Sequence, residues 1–183
     1  MRVIETEIPE VKRVIPKRHG DERGWFSEVF RMDQLAERGI ANVFVQDNQS
    51  FSAPVGTLRG LHFQTPPAAQ AKLVRVLAGA ILDVAVDIRR GSSTFGKYVA
   101  VRLDAENGEQ LFIPHGFAHG FCTLEPNTMV AYKVDAYYSP ANDRNIVWND
   151  PEIGIDWPVS EAEAILSAKD KAAPRLAEAP ELF

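Results

Sequence analysis

Gly108-Glu109-Gln110-Leu111-Phe112-Ile113-Pro114-His115-Gly116-Phe117-Ala118-His119 makes the strongest structural statement in this chain. Residues 110–113 are a short apolar run of strand type. Pro114 and Gly116 then form a tight turn, proline by presetting φ and glycine by tolerating positive φ. A second strand-like run follows over residues 119–124, and its first residue, His119, is aimed at the interior. Strand, tight turn, strand with an inward histidine is the unit from which the rest is read.

The same texture continues on both sides. Residues 58–64, 72–77, 81–88, 97–103 and 129–134 are apolar or alternating runs bounded by Gly, Pro, Asn or Asp. Upstream, residues 11–15 and 24–30 read as strands, residues 43–50 begin another, and residues 18–23 read as a charged turn. Helices are few: one over residues 32–38, stopped by Gly39, and a C-terminal one around residues 161–167. Many short strands at regular spacing indicate an all-β sandwich or barrel, not alternating βαβ units. A jelly-roll barrel with a side-chain-lined interior and a few short peripheral helices is expected, as a single domain over residues 1–183. The segment Gly91-Ser92-Ser93-Thr94-Phe95-Gly96 lacks the Gly-Lys-Ser/Thr ending of a phosphate-binding loop and reads as a strand connection.

Gly108, Pro114, Gly116 and His119 together resemble the second motif of the cupin barrels, with Thr123 where that motif carries asparagine. The first cupin motif supplies His-x-His and a later glutamate to a metal. Here the matching residues are His62-Phe63-Gln64 and then Lys72, so an amide replaces one ligand and a cation replaces the carboxylate. Two histidines are too few for a typical zinc or iron site. The expectation is a barrel with no metal and no cofactor, whose polar interior performs acid–base chemistry.

Composition excludes other classes. The chain has 183 residues and a formal net charge of -5, without the basic footprint of a nucleic-acid binder. A few local Arg and Lys residues still suffice for a phosphate-bearing small ligand. A single cysteine, Cys122, rules out an internal disulfide and favours a reducing compartment. No apolar run approaches the roughly 20 residues of a membrane span, and the expected location is the cytoplasm.

A base, a cation and an acid converging in a barrel suit proton abstraction beside a carbonyl. The base takes the proton, the cation stabilises the enolate oxygen, and the acid returns a proton to the other face. Histidine is the usual base near neutral pH.

The motifs agree with one family in one order. Arg59-Gly60-Leu61-His62-Phe63-Gln64, Gln70-Ala71-Lys72-Leu73-Val74, Asp83-Val84-Ala85-Val86-Asp87, Pro114 to Phe121, Tyr132-Lys133-Val134, Tyr137-Tyr138-Ser139-Pro140, Trp148-Asn149-Asp150-Pro151 and Ser167-Ala168-Lys169-Asp170 follow one another. Over essentially its whole length the chain resembles the dTDP-4-dehydrorhamnose 3,5-epimerases. The resemblance implies that His62 is the base, Asp170 its dyad partner on a C-terminal helix, and Tyr132 the proton donor on the opposite face. It implies Lys72 and His119 in the sugar pocket, with Lys72 at the O4 oxyanion, and Arg59 and Lys169 at the diphosphate and sugar. Arg23, Phe26 and Glu28, with Gln46, Asp47 and Asn48, correspond to the nucleotide-binding set, part of which crosses from the partner of a homodimer in the family. Asp143 stands where the family often has glutamate, one methylene longer, and Tyr138 rivals Tyr132 as the acid.

Taken singly these residues read more plainly. His62 alone would be a satisfied core histidine, Tyr132 a packing residue of its strand and Lys72 a snorkelling surface residue. Two other functions compete on the same scaffold. A single-centre epimerase or ketoisomerase would share the whole motif set. A non-catalytic sugar-binding or regulatory barrel would need a DNA-binding segment, and a metal cupin would need the His-x-His that Gln64 breaks.

Overall fold

The computed structural model describes residues 1–179 and 182–183. In chain order its strands are β1 (Arg2–Glu5), β2 (Lys12–Ile15), β3 (Arg18–Asp21), β4 (Gly24–Ser27), β5 (Gln46–Ser52), β6 (Leu58–Gln64) and β7 (Lys72–Ala78). They continue as β8 (Ala80–Asp87), β9 (Tyr98–Asp104), β10 (Gln110–Ile113), β11 (Phe117–Thr123), β12 (Thr128–Val134) and β13 (Asp143–Asn145). Two short helices, α1 (Met32–Ala36) and α2 (Ala168–Lys171), lie outside the sheets.

One sheet has six strands in the order β1-β2-β10-β7-β12-β5, the other five in the order β13-β6-β11-β8-β9. Neighbouring strands pair antiparallel throughout. The jelly-roll expectation is met: the two sheets face each other, and Val74, Val76, Leu111, Ile113 and Val130 of one pack on Ile81, Ala85, Leu103, Phe117 and Phe121 of the other. Residues alternate between faces along each strand. The outward rows are therefore covered separately. Leu61, Phe63, Val84, Val86 and Cys122 pack under the C-terminal segment through Ile146, Trp148, Ile153, Trp157 and Leu176. Val14, Leu73 and Phe112 pack under Leu35 of α1 and Ile40.

One irregularity positions the site. Against β11, β6 pairs His62 with His119 but Arg59 with Phe121, so β6 holds one residue more than its partner across this step. That is a β-bulge. In a regular strand residues three apart face opposite ways; here Arg59 and His62 both line the interior cavity. The bulge centres on Gly60, with φ of +131°. A Cβ at Gly60 would lie 2.5 Å from the Cα of Gly120 and 2.8 Å from the carbonyl oxygen of His119. Both glycines are needed for this approach, since a Cβ on Gly120 would meet the Arg59 carbonyl at 2.8 Å.

Several sequence expectations need correction. Residues 18–23 are not a turn throughout: Arg18–Asp21 is β3, hairpinned to β4. The hairpin is exposed on most of its length, so no face alternates and the charges mask the strand. The strand expected over residues 24–30 stops at Ser27, and the one expected from residue 43 starts at Gln46. No helix spans residues 161–167. Ser160 and Glu163 bond each other as a helix start would, but Ile165 then bridges to Thr57 and its backbone is bonded by Gly56 and Leu58. The helix begins only at Ala168, as α2, capped by Ser167. Strands β1 and β13 were not expected; both lie at sheet edges and carry mixed, half-exposed residues. Residues 91–96 do form the connection between β8 and β9, with Ser92 and Thr94 bonded to the buried Asp87. No helix among the described residues is long and apolar enough to cross a membrane.

Substituting Gly60 by alanine should cost roughly 3 kcal/mol or more, from a strained φ and a backbone clash together. Urea unfolding of Gly60→Ala beside the wild type measures it, and a wild-type midpoint would show that the bulge does not depend on glycine.

Candidate active site

Between the sheets, at one end, the apolar filling gives way to a polar cavity of about 240 Å³. Ser50, Arg59, His62, Lys72, His119, Phe121, Tyr132 and Asp170 line it. An adjoining lobe of about 200 Å³ opens outward between Gln46, Asn48, Gln64, Tyr138, Asp143 and Lys169, and shares His62, Lys72 and Tyr132 with the inner one.

His62 stands on β6 and its Nε2 lies 2.5 Å from Oδ1 of Asp170. The carboxylate is delivered by α2. Ser167, the N-cap, accepts from the Asp170 N–H at 3.1 Å and donates its hydroxyl to Oδ2 at 2.9 Å. Burial works to raise the Asp170 carboxyl, but the hydrogen bonds from His62, Ser167 and the Gly60 N–H, with the charge of His62, prevail and hold it below the usual carboxylate value. An ionised Asp170 that accepts Nε2–H fixes the tautomer and leaves Nδ1 as the basic nitrogen.

A second pair sits deeper. Nε2 of His119 lies 2.7 Å from Oδ1 of Asp83, and its Nδ1 lies 3.4 Å from Nζ of Lys72. All three side chains are buried. Burial pushes His119 below its ordinary value, and the Lys72 charge adds to this against the opposing pull of Asp83. His119 is thus a neutral imidazole at pH 7, donating to Asp83 and accepting from Lys72. Lys72 also reaches the carbonyl of His62 at 3.3 Å. Burial lowers the Lys72 ammonium to about 8, only partly offset by Asp83 and Asp143. It is a cation at neutral pH without a direct carboxylate partner among the described residues, suited to an oxyanion.

Tyr132 comes from β12, in the sheet opposite His62. Burial raises its phenol, with Arg59 pulling the other way, so it keeps its proton at neutral pH. A base on one wall and a protonated phenol on the other flank the cavity. This arrangement can remove a proton from one face of a bound carbon acid and return one to the opposite face.

His62, Tyr132, Asp170 and Lys72 are brought together as expected, with Arg59 and His119 beside them and Gln46, Asn48, Tyr138, Asp143 and Lys169 in the outer lobe. At the mouth the Tyr138 hydroxyl donates to Asp143 at 3.0 Å, and Lys169 pairs with the same oxygen. Asp47 departs from its neighbours. Strand alternation turns it to the outer face, where Lys133 holds it at 2.8 Å. Arg23, Phe26 and Glu28 do not reach this cavity. Arg23 pairs with Asp21, Glu28 pairs with Arg31, and Phe26 is 66 % exposed on the hairpin. The sequence reading assigned no role to Asp83, Ser167 or Phe121. Asp83 was detectable, as the one acid in the middle of an otherwise apolar run.

An antiparallel barrel with this opposed acid–base pair and a buried cation belongs to the class of carbon-acid isomerases. The match to a family model described as dTDP-4-dehydrorhamnose 3,5-epimerase covers residues 5–178. The chain is similar to the dTDP-4-dehydrorhamnose 3,5-epimerase of Sinorhizobium fredii, 53 % identical over 177 residues, covering 96 % of this chain and 90 % of the relative. It also resembles the solved dTDP-6-deoxy-D-glucose-3,5-epimerase of Legionella pneumophila in complex with dTDP-4-keto-L-rhamnose, with 49 % identity and a TM-score of 0.92 over 97 % of this chain and 93 % of that one. A 3'-monoepimerase of Streptomyces bikiniensis, solved with dTDP-quinovose, is 34 % identical with a TM-score of 0.86 over 94 % of this chain and 87 % of that one. The chain belongs to the dTDP-4-dehydrorhamnose 3,5-epimerase family.

The low Lys72 value has a measurable consequence. The unfolded chain holds this proton up to about 10.5 and the folded chain only to about 8. Between those values the unfolded state binds more protons, so the contribution of Lys72 to stability should rise with pH. Urea unfolding at pH 8 and pH 10 should show this rise in the wild type and its loss in Lys72→Met.

Proposed function

We propose that this chain inverts C3 and C5 of dTDP-4-dehydro-6-deoxy-D-glucose to give dTDP-4-dehydro-L-rhamnose, the isomerase step of dTDP-L-rhamnose biosynthesis. The observation that carries the reading is the Asp170-oriented His62 on one wall with the protonated Tyr132 on the other. His62 Nδ1 takes the proton from a carbon beside the C4 ketone, and the C–H electron pair moves to O4. The Lys72 ammonium donates to the developing oxyanion, backed by His119 and Asp83. The enolate then collapses, its carbon taking the Tyr132 proton on the opposite face while O4 returns to a carbonyl. His62 and Tyr132 reset by exchange with solvent. One ketone activates both carbons, so the same groups serve both inversions.

Arg59, in the inner cavity, and Lys169, which borders both cavities, suit the diphosphate, and Gln46, Asn48, Tyr138 and Asp143, around the outer lobe, suit the nucleotide end. Arg23, Phe26 and Glu28 act in trans in this reading, in a homodimer. Their support is negative within the chain: they stand on an exposed hairpin and its exit and are not among the residues that line their own cavity. Residues 1–183 act as one domain in this reading, and the reaction belongs to the cytoplasm, where the single buried thiol stays reduced.

The test is incubation with dTDP-4-dehydro-6-deoxy-D-glucose in heavy water. Deuterium at both C3 and C5, with an L-configured product after coupled reduction, is the expected outcome. Exchange at one carbon alone would assign the chain to the single-centre epimerases, and no exchange would remove the reading. His62→Ala and Asp170→Ala should each lower kcat by about 100-fold or more, the usual yield of a positioned base. Tyr132→Phe should still wash out the proton that His62 abstracts while failing to invert the carbon.

A further inference from the structure

Gln64 ends β6, two residues beyond His62 on the same inward row. It is 4 % exposed and borders the outer lobe, yet it bonds to none of the acid–base groups. Its amide holds backbone instead. Nε2 donates to the Ala68 carbonyl at 2.6 Å and the Tyr137 carbonyl at 3.3 Å, while Oε1 accepts from the Ser139 N–H at 2.7 Å. Gln70 adds a bond in the same direction, donating to the Ala136 carbonyl at 2.7 Å.

Residues 136–139 lie between β12 and β13, outside the strand ladders. This segment carries Tyr138 over the cavity mouth, where its hydroxyl meets Asp143. Apart from the Gln64 and Gln70 bonds this segment is lightly held: the Tyr138 N–H meets Gln46 at 3.4 Å, and Ser139 otherwise bonds, among the described residues, only to Asn142. Two loops at the mouth, one before β7 and one after β12, are thus stitched together, and the buried Gln64 side chain bonds to both.

We infer that Gln64 is the positioning residue for Tyr138 and so shapes the part of the pocket that receives the nucleotide end of the substrate. The inference rests on the epimerase reading above. Its chemical logic is the bipolar amide. Only asparagine and glutamine present two donors and an acceptor on one neutral planar group. A carboxylate here would face two carbonyl oxygens with no proton to offer, and an apolar chain would leave buried backbone groups unmet. A neutral group also adds no charge beside His62. The residue acts through Tyr138, so its loss should be felt in binding more than in the chemical step.

The experiment measures dTDP affinity by calorimetry and steady-state kinetics for the wild type, Gln64→Glu, Tyr138→Ala and the double variant. Gln64→Glu should weaken dTDP binding and raise KM about tenfold, the scale of one lost buried hydrogen bond, with a smaller fall in kcat. In the Tyr138→Ala background the same change should add little, because the two act together. Gln70→Glu should move KM in the same direction and supplies the reading if Gln64→Glu fails to fold. Unchanged dTDP affinity, full additivity with Tyr138→Ala, or a fall confined to kcat would each overturn the inference. A wild type that binds dTDP without turnover would strike the epimerase reading and leave the positioning role to be judged on affinity. A wild type with no affinity for dTDP would remove both.

Discussion

Everything in this site depends on two backbones touching where side chains would normally keep them apart. Gly60 on β6 and Gly120 on β11 leave no room for a Cβ on either. The extra residue accommodated there turns two successive functional side chains, Arg59 and His62, to the same interior. A regular strand would send one of them into the apolar layer under Trp148 and Trp157. The same bulge aims the Gly60 N–H at Asp170, so the distortion that admits the base also helps hold its orienting carboxylate.

The two histidine–aspartate pairs look alike in outline and differ in environment. His62 is about one-third exposed and faces the cavity with a free nitrogen. His119 is nearly enclosed, its two nitrogens shared between Asp83 and Lys72. The first keeps one ring nitrogen open to the cavity, as the proposed base requires. The second is locked into one tautomer by a cation on one side and an anion on the other, and works as a relay of orientation. Different burial, not different residue type, separates the two roles.

Much of this was legible beforehand. The central strands were readable because each buries one or both faces, so hydrophobic pattern and burial agree. The hairpin β3–β4 was not, because with water on most of its surface no pattern is imposed on Arg18 to Asp21. The misplaced helix had a local cause: Ser160 and Glu163 carry a start signal that the Thr57–Ile165 bridge overrides. Among site residues, the family resemblance pointed to several that face the cavity from strands. It also pointed to Asp47, whose place beside Gln46 and Asn48 hid the fact that neighbours along a strand point opposite ways. Gln64 escaped for another reason: it acts on backbone across the fold, and such pairing has no signature along the chain.

The C-terminal segment does more than cover the outer face of the five-stranded sheet. The last sheet strand, β13, ends at Asn145, whereas the carboxylate that orients His62 arrives only at Asp170. Until that segment is in place the imidazole lacks its tautomeric guide and the cavity lacks the wall that Ser167, Lys169 and Asp170 supply. The stretch from Ile146 onward therefore joins two duties, burying the outward apolar row of the five-stranded sheet and delivering the carboxylate, so a chain cut short there would lose the cover of its core together with the orientation of its imidazole.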